Sequence, residues 1–249
     1  MEAALAHPVF DPLRPWLDRL GEPGAATLEG LNALAEASGV RVASGKLLRF
    51  VPPADSERNY ELRIHESGCV ATRAGNRHDL FNALAWLAFP KTKAQLNARH
   101  AAEIPREHGH RGRFRDLLTL FDEGGAIVRC DDPALVALVR GFRWKELFWD
   151  HRARLLQSMQ IAVLGHAVLE KALEPWPGIA CKALFVGAAR SEDDLAAEWL
   201  ESLPPTATPQ ELAPLPIFGY PGWSPGNDRR EFYDDTRYFR PFKRDAVRA

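Results

Sequence analysis

The chain has 249 residues, 46% of them apolar and 26% charged, with a net charge of −1 at neutral pH. That composition supplies a sizeable core and excludes a disordered or fibrous chain. The even charge balance gives no general attraction to nucleic acid or to an anionic membrane. Cys69, Cys130 and Cys181 contain no Cys-x-x-Cys pair and make an odd set for a secreted disulfide framework, so reduced thiols and a cytoplasmic location are expected. The start, MEAALAHPVFDPLRPWLDRL, lacks the basic and apolar regions of a secretory signal. The longest apolar run, Ile161 to Leu169, is broken by Gly165 and His166 and falls short of the roughly 20 residues of a bilayer span, so no membrane partner is expected.

In chain order, FDPLRPWLDRL and TLEGLNALAEASG read as helices, the second with Thr27 as N-cap and Gly39 as stop. KLLRFVPP and NYELRIHESGCVATR read as strands, with Glu66-Ser67-Gly68 as a hairpin turn. A helical pair follows from His78 to His100. RDLLTLFDEGGAIVRC reads as a second hairpin with Asp122-Glu123-Gly124-Gly125 at its tip. From Asp132, an N-cap before Pro133, a helical pattern runs to about Lys171 with breaks near Gly141 and between Asp150 and Arg154. GIACKALFVGA is a last strand, SEDDLAAEWLESL a capped helix, and beyond Pro204 the chain is rich in Pro, Gly and aromatics. Strands come in pairs between helices, without the alternation that builds a parallel sheet. The expected class is α+β: a mostly helical single domain over 1–249 with short antiparallel hairpins. Its body is 1–203. The tail, 204–249, is too apolar for a solvated linker and should pack on that body.

The stretch HDLFNALAWLAFPKTKAQLNARH concentrates polar groups in two helices. Asp79 caps the first, Pro90 ends it, and Thr92 caps the second. Lys93, Asn97 and His100 fall at i, i+4, i+7 on one face, and Asp79, Asn82 and Trp86 share a face of the first helix. Two readings stay open: caps and a solvated face, or a pocket whose amides, lysine and histidines hold an anion or carbonyl. On the second, His78, Asn82, Lys93, Asn97 and His100 line one cavity, and Arg115 enters from the following strand. Lys93 is then exposed, and its loss costs less than about 1 kcal/mol of stability.

Between Phe89 and Arg115 stand seven Lys or Arg and three His against two acids, a local basic stretch in a neutral chain. In GFRWKELFW, Lys145 and Glu146 are set among aromatics, so at least one of the two charges touches the core. In MQIAVLGHAVLEKAL, His166 is expected in mid-helix, buried and paired with Glu170 one turn on. That pair, with the hairpin acids Asp122 and Glu123, is the alternative metal set. No dinucleotide-binding glycine fingerprint, phosphate loop, nucleophile elbow or His-Glu-x-x-His is present.

RHDLFNALAWLAFPKTKAQLNARH, RDLLTLFDEGG, FRWKELFW, GHAVLEK and GYPGWSPGNDRREFYDDTRYFRP together resemble the uncharacterised bacterial family catalogued as domain of unknown function three thousand and twenty-five. The resemblance implies one fold from about Phe10 to Pro241 and no known activity. It also implies Trp at two positions where this chain has Arg77 and Ser224.

Two functional readings follow. The first is an enzyme, hydrolytic or group-transferring, on a small anionic or phosphate-bearing substrate. In it His78 and His100 serve as acid or base, Lys93 and Arg115 clamp the anion, and Asn82 and Asn97 orient the substrate. No cofactor is expected, and a divalent metal on His166, Glu170, Asp122 and Glu123 is a variant. The second is a non-catalytic binding or scaffold protein whose stretch 89–115 docks an acidic partner, with nucleic acid a lesser candidate.

Overall fold

The computed structural model describes residues 2–21, 26–54, 59–107, 111–176 and 178–241. His108 and His110 of the basic stretch, and the tail beyond residue 241, lie outside the described residues.

The chain begins with α1 (Glu2–Leu5), a 3-10 turn at Pro8–Leu13, α2 (Arg14–Leu20) and α3 (Leu28–Ala37). Thr27 caps α3, its hydroxyl accepting from the Gly30 amide at 3.1 Å. Next come β1 (Arg49–Val51), α4 (Tyr60–Ser67) and β2 (Cys69–Ala71), with β1 and β2 paired in parallel, Phe50 opposite Val70. The hairpin expected at Glu66-Ser67-Gly68 is therefore a helix end. Asn59 caps α4 through the Glu61 amide, and Gly68 closes it at φ +75, where a Cβ would also stand 2.2 Å from the Leu47 carbonyl oxygen. Only Ile64 of α4 is buried, so this short helix carries no apolar stripe for a sequence reading to find.

Two long helices follow, α5 (Arg77–Ala88) and α6 (Pro90–Glu103), with Pro90 ending one and opening the other. Their caps differ from expectation. Asn76, not Asp79, caps α5, while Asp79 accepts from the Arg73 amide and guanidinium. The N-terminus of α6 is capped from a distance: Asp193 accepts from the amides of Lys91 at 3.0 Å and Thr92 at 2.8 Å. The second expected hairpin is α7 (Arg113–Gly124) running directly into β3 (Gly125–Cys130). Phe114, Leu117, Leu118 and Phe121 are its buried stripe, at i, i+3, i+4, i+7.

Asp132 caps α8 (Pro133–Arg140) as expected, accepting from the Ala134 and Leu135 amides. A π-helical turn at Glu146–Asp150 and α9 (Arg152–Ser158) then lead into β4 (Met159–Val163), which occupies what reads as helix in the sequence. Lys145 and Glu146 are both partly buried and paired, with Asp234 of the tail and with Arg143. After α10 (His166–Lys171) come β5 (Cys181–Val186), α11 (Glu192–Ser202) and β6 (Ala213–Leu215). His166 thus opens a helix after a strand instead of standing in mid-helix.

The class is α+β, with more helix than strand. The larger sheet has the order β4-β3-β5-β6, in which β3 is antiparallel to β4 and parallel to β5, and β5 is antiparallel to β6. Its central strand is buried on both faces: Ala126, Val128 and Cys130 join one core cluster and Ile127 the other. Helix α5 is apolar nearly all round and links three clusters, with Phe81 and Leu84 in one, Ala85 in the second, and Ala83, Trp86 and Leu87 in the third. The tail packs in the first cluster through Ile217, Phe218, Trp223, Tyr233, Tyr238 and Phe239. Among the described residues no helix is long and apolar enough to cross a membrane, and all three cysteines are free.

Candidate functional site

Where α4, α5, α6, α7 and α10 meet, a solvent-open cavity of about 620 Å³ is lined by His78, Asn82, His100 and Arg115, all singled out in the sequence. Lys93 and Asn97 line a space of about 10 Å³ that shares Tyr60, Glu61, Asn82, His100 and Asp122 with it. Four of the six residues therefore line the open cavity, whereas Lys93 and Asn97 lie in the small adjoining space and not in the single cavity expected, and Arg115 stands on α7 and not on a strand. Helix geometry brings His78 and Asn82 to one face of α5, and Lys93, Asn97 and His100 to one face of α6.

That face of α6 is not solvated. Lys93, Asn97 and His100 are 3%, 2% and 4% exposed. The Lys93 ammonium donates to Asn82 Oδ1 at 2.8 Å, is ion-paired with Asp122, and lies 5.5 Å from the Trp86 ring centre. Lys93 is thus a paired, buried charge and not the exposed clamp expected, because Asp122 sits at the end of a helix facing it. Burial works to raise the Asp122 carboxyl, but Lys93, His166 and His100 hold it below its usual range.

Asn97 donates through Nδ2 to the Glu61 carbonyl at 2.9 Å and to its carboxylate at 2.7 Å, while its Oδ1 is buried without a partner. Burial pushes the Glu61 carboxyl up to about 7 against the Asn97 hydrogen bond, with Asp122 adding to the rise. Tyr60 is 40% exposed as a residue, yet its hydroxyl turns inward to accept from Asn82 at 3.2 Å. Enclosure of that hydroxyl, with Glu61 and Asp122 close by, keeps the phenol protonated well above its ordinary range.

The histidines differ in their partners. His78 Nδ1 lies 3.0 Å from a Glu170 carboxylate oxygen, and its ring packs edge-on against His166 at 4.6 Å between centroids. The expected His166–Glu170 pair is thereby corrected: α10 presents Glu170 to α5, and His166 is buried with Nδ1 unpartnered. Burial lowers His166 to about 4 against the pull of Asp122. Arg115 Nε donates to His100 Nδ1 at 3.2 Å, and burial lowers His100 to about 4, with Asp122 opposing and Arg115, Arg111 and Lys93 reinforcing.

Of the proposed metal set, Glu170 is occupied by His78 and Asp122 by Lys93, while Glu123 lines the cavity without joining them. Among the described residues no group of three or more His, Cys, Asp or Glu is placed to hold a metal ion. Tyr60, Glu61, Arg73, Arg111 and Thr119 are cavity residues that sequence reading missed. Tyr60 and Glu61 were assigned to a strand, and no periodic signal ties α4 to α6. A second depression of about 650 Å³ lies beside Trp144, Trp176 and Tyr238; among the described residues its lining holds no histidine and no carboxyl raised toward neutrality.

Residues 48–243 match the model of the family described as Protein of unknown function (DUF3025), and the chain belongs to that family. The matched segment begins later than the Phe10 implied by the motifs. No curated protein and no solved structure matches the chain.

Proposed function

We propose that this protein is an enzyme, hydrolytic or group-transferring, which takes a small molecule bearing an anionic or phosphate group into the cavity between α4, α5, α6, α7 and α10 and moves a proton on it. The observation that carries this reading is convergence. His78, His100 and His166, the raised carboxyl of Glu61 and the guanidiniums of Arg73, Arg111 and Arg115 line one open cavity. Groups displaced from their ordinary values by burial and by specific neighbours gather at functional sites more than elsewhere. A carboxyl near 7 at a cavity wall suits proton transfer at neutral pH.

In this reading His78 and His100 handle protons. Arg111 and Arg115 supply the positive side for the anion. Asn82 and Asn97 act on the wall of the site, the first by bridging Lys93 and Tyr60 and the second by holding Glu61. Lys93 stabilises Asp122 from beneath.

The docking alternative has less support, because the basic stretch is largely spent within the protein. Lys91 pairs with Asp194, Lys93 with Asp122 and Arg106 with Glu103, while Arg99 reaches the Leu203 carbonyl; Arg111 and Arg115, each with one carboxylate partner in Asp116 and Glu107, line the cavity.

The test is thermal stability of the purified full chain against a panel of small anions, inorganic phosphate among them. A bound anion raises stability by RT ln(1 + [L]/Kd). At least one anion is expected to give a saturating rise that Arg111→Ala removes and Lys91→Ala, outside the cavity lining, retains. No rise with any anion, or equal losses in the two variants, overturns the reading.

A further inference from the structure

Two of the three histidines of the cavity, His78 and His100, are held in opposite tautomers, and the hydrogen bonds alone decide this. Glu170 offers His78 a carboxylate, which accepts, so the proton of the neutral His78 ring sits on Nδ1 and Nε2 is a bare acceptor. Arg115 offers His100 a guanidinium N–H, which has no lone pair to accept with, so His100 Nδ1 is the acceptor and the ring proton sits on Nε2. Neither Nε2 has a hydrogen-bond partner among the described residues, and both rings line the cavity. Glu170 holds His78 from outside the cavity lining, and Arg115 is itself tied to Glu107 at 2.6 Å. Each ring is therefore held through Nδ1, which leaves its other nitrogen for a ligand.

Resting on the acid–base reading of this cavity, we propose that the histidines divide its chemistry: His78 presents an unprotonated Nε2 as the base, and His100 presents an Nε2–H as the donor to an oxygen of the substrate. Glu170 and Arg115 are positioning residues for them, as the third group of a base–orienter set is. The division narrows the substrate class. The atom opposite His100 is a hydrogen-bond acceptor, a carbonyl, carboxylate or phosphoryl oxygen, and Arg115 beside it favours negative charge there. The group opposite His78 carries the proton to be removed. A substrate presenting an ammonium to His100 has no acceptor to offer and is excluded.

His100 is faced by Arg115, Arg111 and Lys93 on the positive side and by Asp122 on the negative, which together with burial keeps a second proton off its ring. His78 is faced by Glu170, by the His166 ring and by Asp79.

Nitrogen NMR of the 15N-labelled full chain reads ring tautomers directly, without ligand or assay, with His78→Gln and His100→Gln to assign the signals. At neutral pH the expected result is His78 protonated on Nδ1 and His100 on Nε2, with His100 still singly protonated at about pH 5.5, where an ordinary histidine is mostly cationic. Glu170→Ala is expected to release His78 to a mixture dominated by the Nε2–H form, while the His100 signal stays in place and reports an intact fold. His78 found with its proton on Nε2 in the parent chain, or His100 with its proton on Nδ1, overturns the proposal. So does a Glu170→Ala chain that keeps the His100 signal and the parent His78 tautomer. Because these signals are read in the free protein, correct tautomers with no anion-induced stabilisation point to failure of the functional reading. Anion-induced stabilisation with wrong tautomers points to failure of the division of labour.

Discussion

Lys93 shows how far one buried partner changes the weight of a residue. At 3% exposure and facing an Asp122 that is 20% exposed, it cannot be removed without leaving a carboxylate enclosed and unpaired. Lys93→Met is expected to cost about 2–4 kcal/mol in urea unfolding, and Lys93→Met with Asp122→Asn clearly less, since no charge is orphaned. Equal losses would show that the two side chains are not coupled. Proton linkage adds a second expectation at this scale. Glu61, near 7 against an ordinary 4.5, is more protonated folded than unfolded, so its contribution is complete below 4.5 and is lost as the pH rises through about 7. His100 and His166, near 4 against 6.5, have the opposite sign: their contribution is complete above 6.5 and is lost as the pH falls through about 4. Over the shared window two imidazoles oppose one carboxyl, so stability should fall on acidification with a slope near one proton. Glu61→Gln removes the opposing carboxyl and should steepen the fall to about two protons, read from urea midpoints across the range. An unchanged slope would mean that Glu61 titrates at its ordinary value.

At the level of elements, the position of α6 depends on a cap supplied by α11. Asp193, 9% exposed, accepts from two amides of the first turn of α6, and its backbone carbonyl accepts from the Thr92 hydroxyl at 3.2 Å. Asp193→Ala should cost about 1–2 kcal/mol, as loss of an N-cap does, with faster hydrogen exchange at Lys91 and Thr92 and unchanged protection in α5. A change within about 0.5 kcal/mol would show that solvent replaces the cap. Since α6 carries Lys93, Asn97 and His100, this contact also sets the height at which they meet α5.

On the scale of the whole molecule, the tail completes the core. Tyr238 donates its hydroxyl to the Ile179 carbonyl at 2.8 Å and accepts from the Phe218 amide at 2.9 Å, tying the tail to the segment before β5. Its buried rings are large, at about 150–250 Å² of surface each. Ending the chain after residue 203 also strips β6 from the edge of β5. The shortened protein should aggregate or lose cooperative unfolding, as followed by calorimetry and gel filtration. A soluble, cooperative product would make the tail an appendage.

Much of this was legible in the sequence. The caps Thr27 and Asp132, the Pro90 boundary and helix α11 follow from local rules, because the groups that satisfy a helix end or break it are neighbours in the chain. So does the shared face of Lys93, Asn97 and His100, since the helical repeat places it whatever surrounds the helix. The stripe of α7 was also present in Phe114, Leu117, Leu118 and Phe121, but the Gly pair after Asp122 and Glu123 reads equally as a hairpin tip. Strand β4 was hidden because its burial does not alternate: Met159, Ala162 and Val163 are buried, Gln160 is exposed and Ile161 half-buried, so no two-residue period shows in the sequence. Which groups pair was beyond local reading. His78 takes Glu170 from 92 positions away, and Asp193 caps a helix 102 positions before it. Burial of Lys93 and the meeting of Glu61 with Asn97 likewise depend on where α4 and α7 come to rest. A side chain's repeat position is set by its own backbone, whereas its partner, its solvent exposure and hence its proton affinity are set by whichever elements the shared core brings against it.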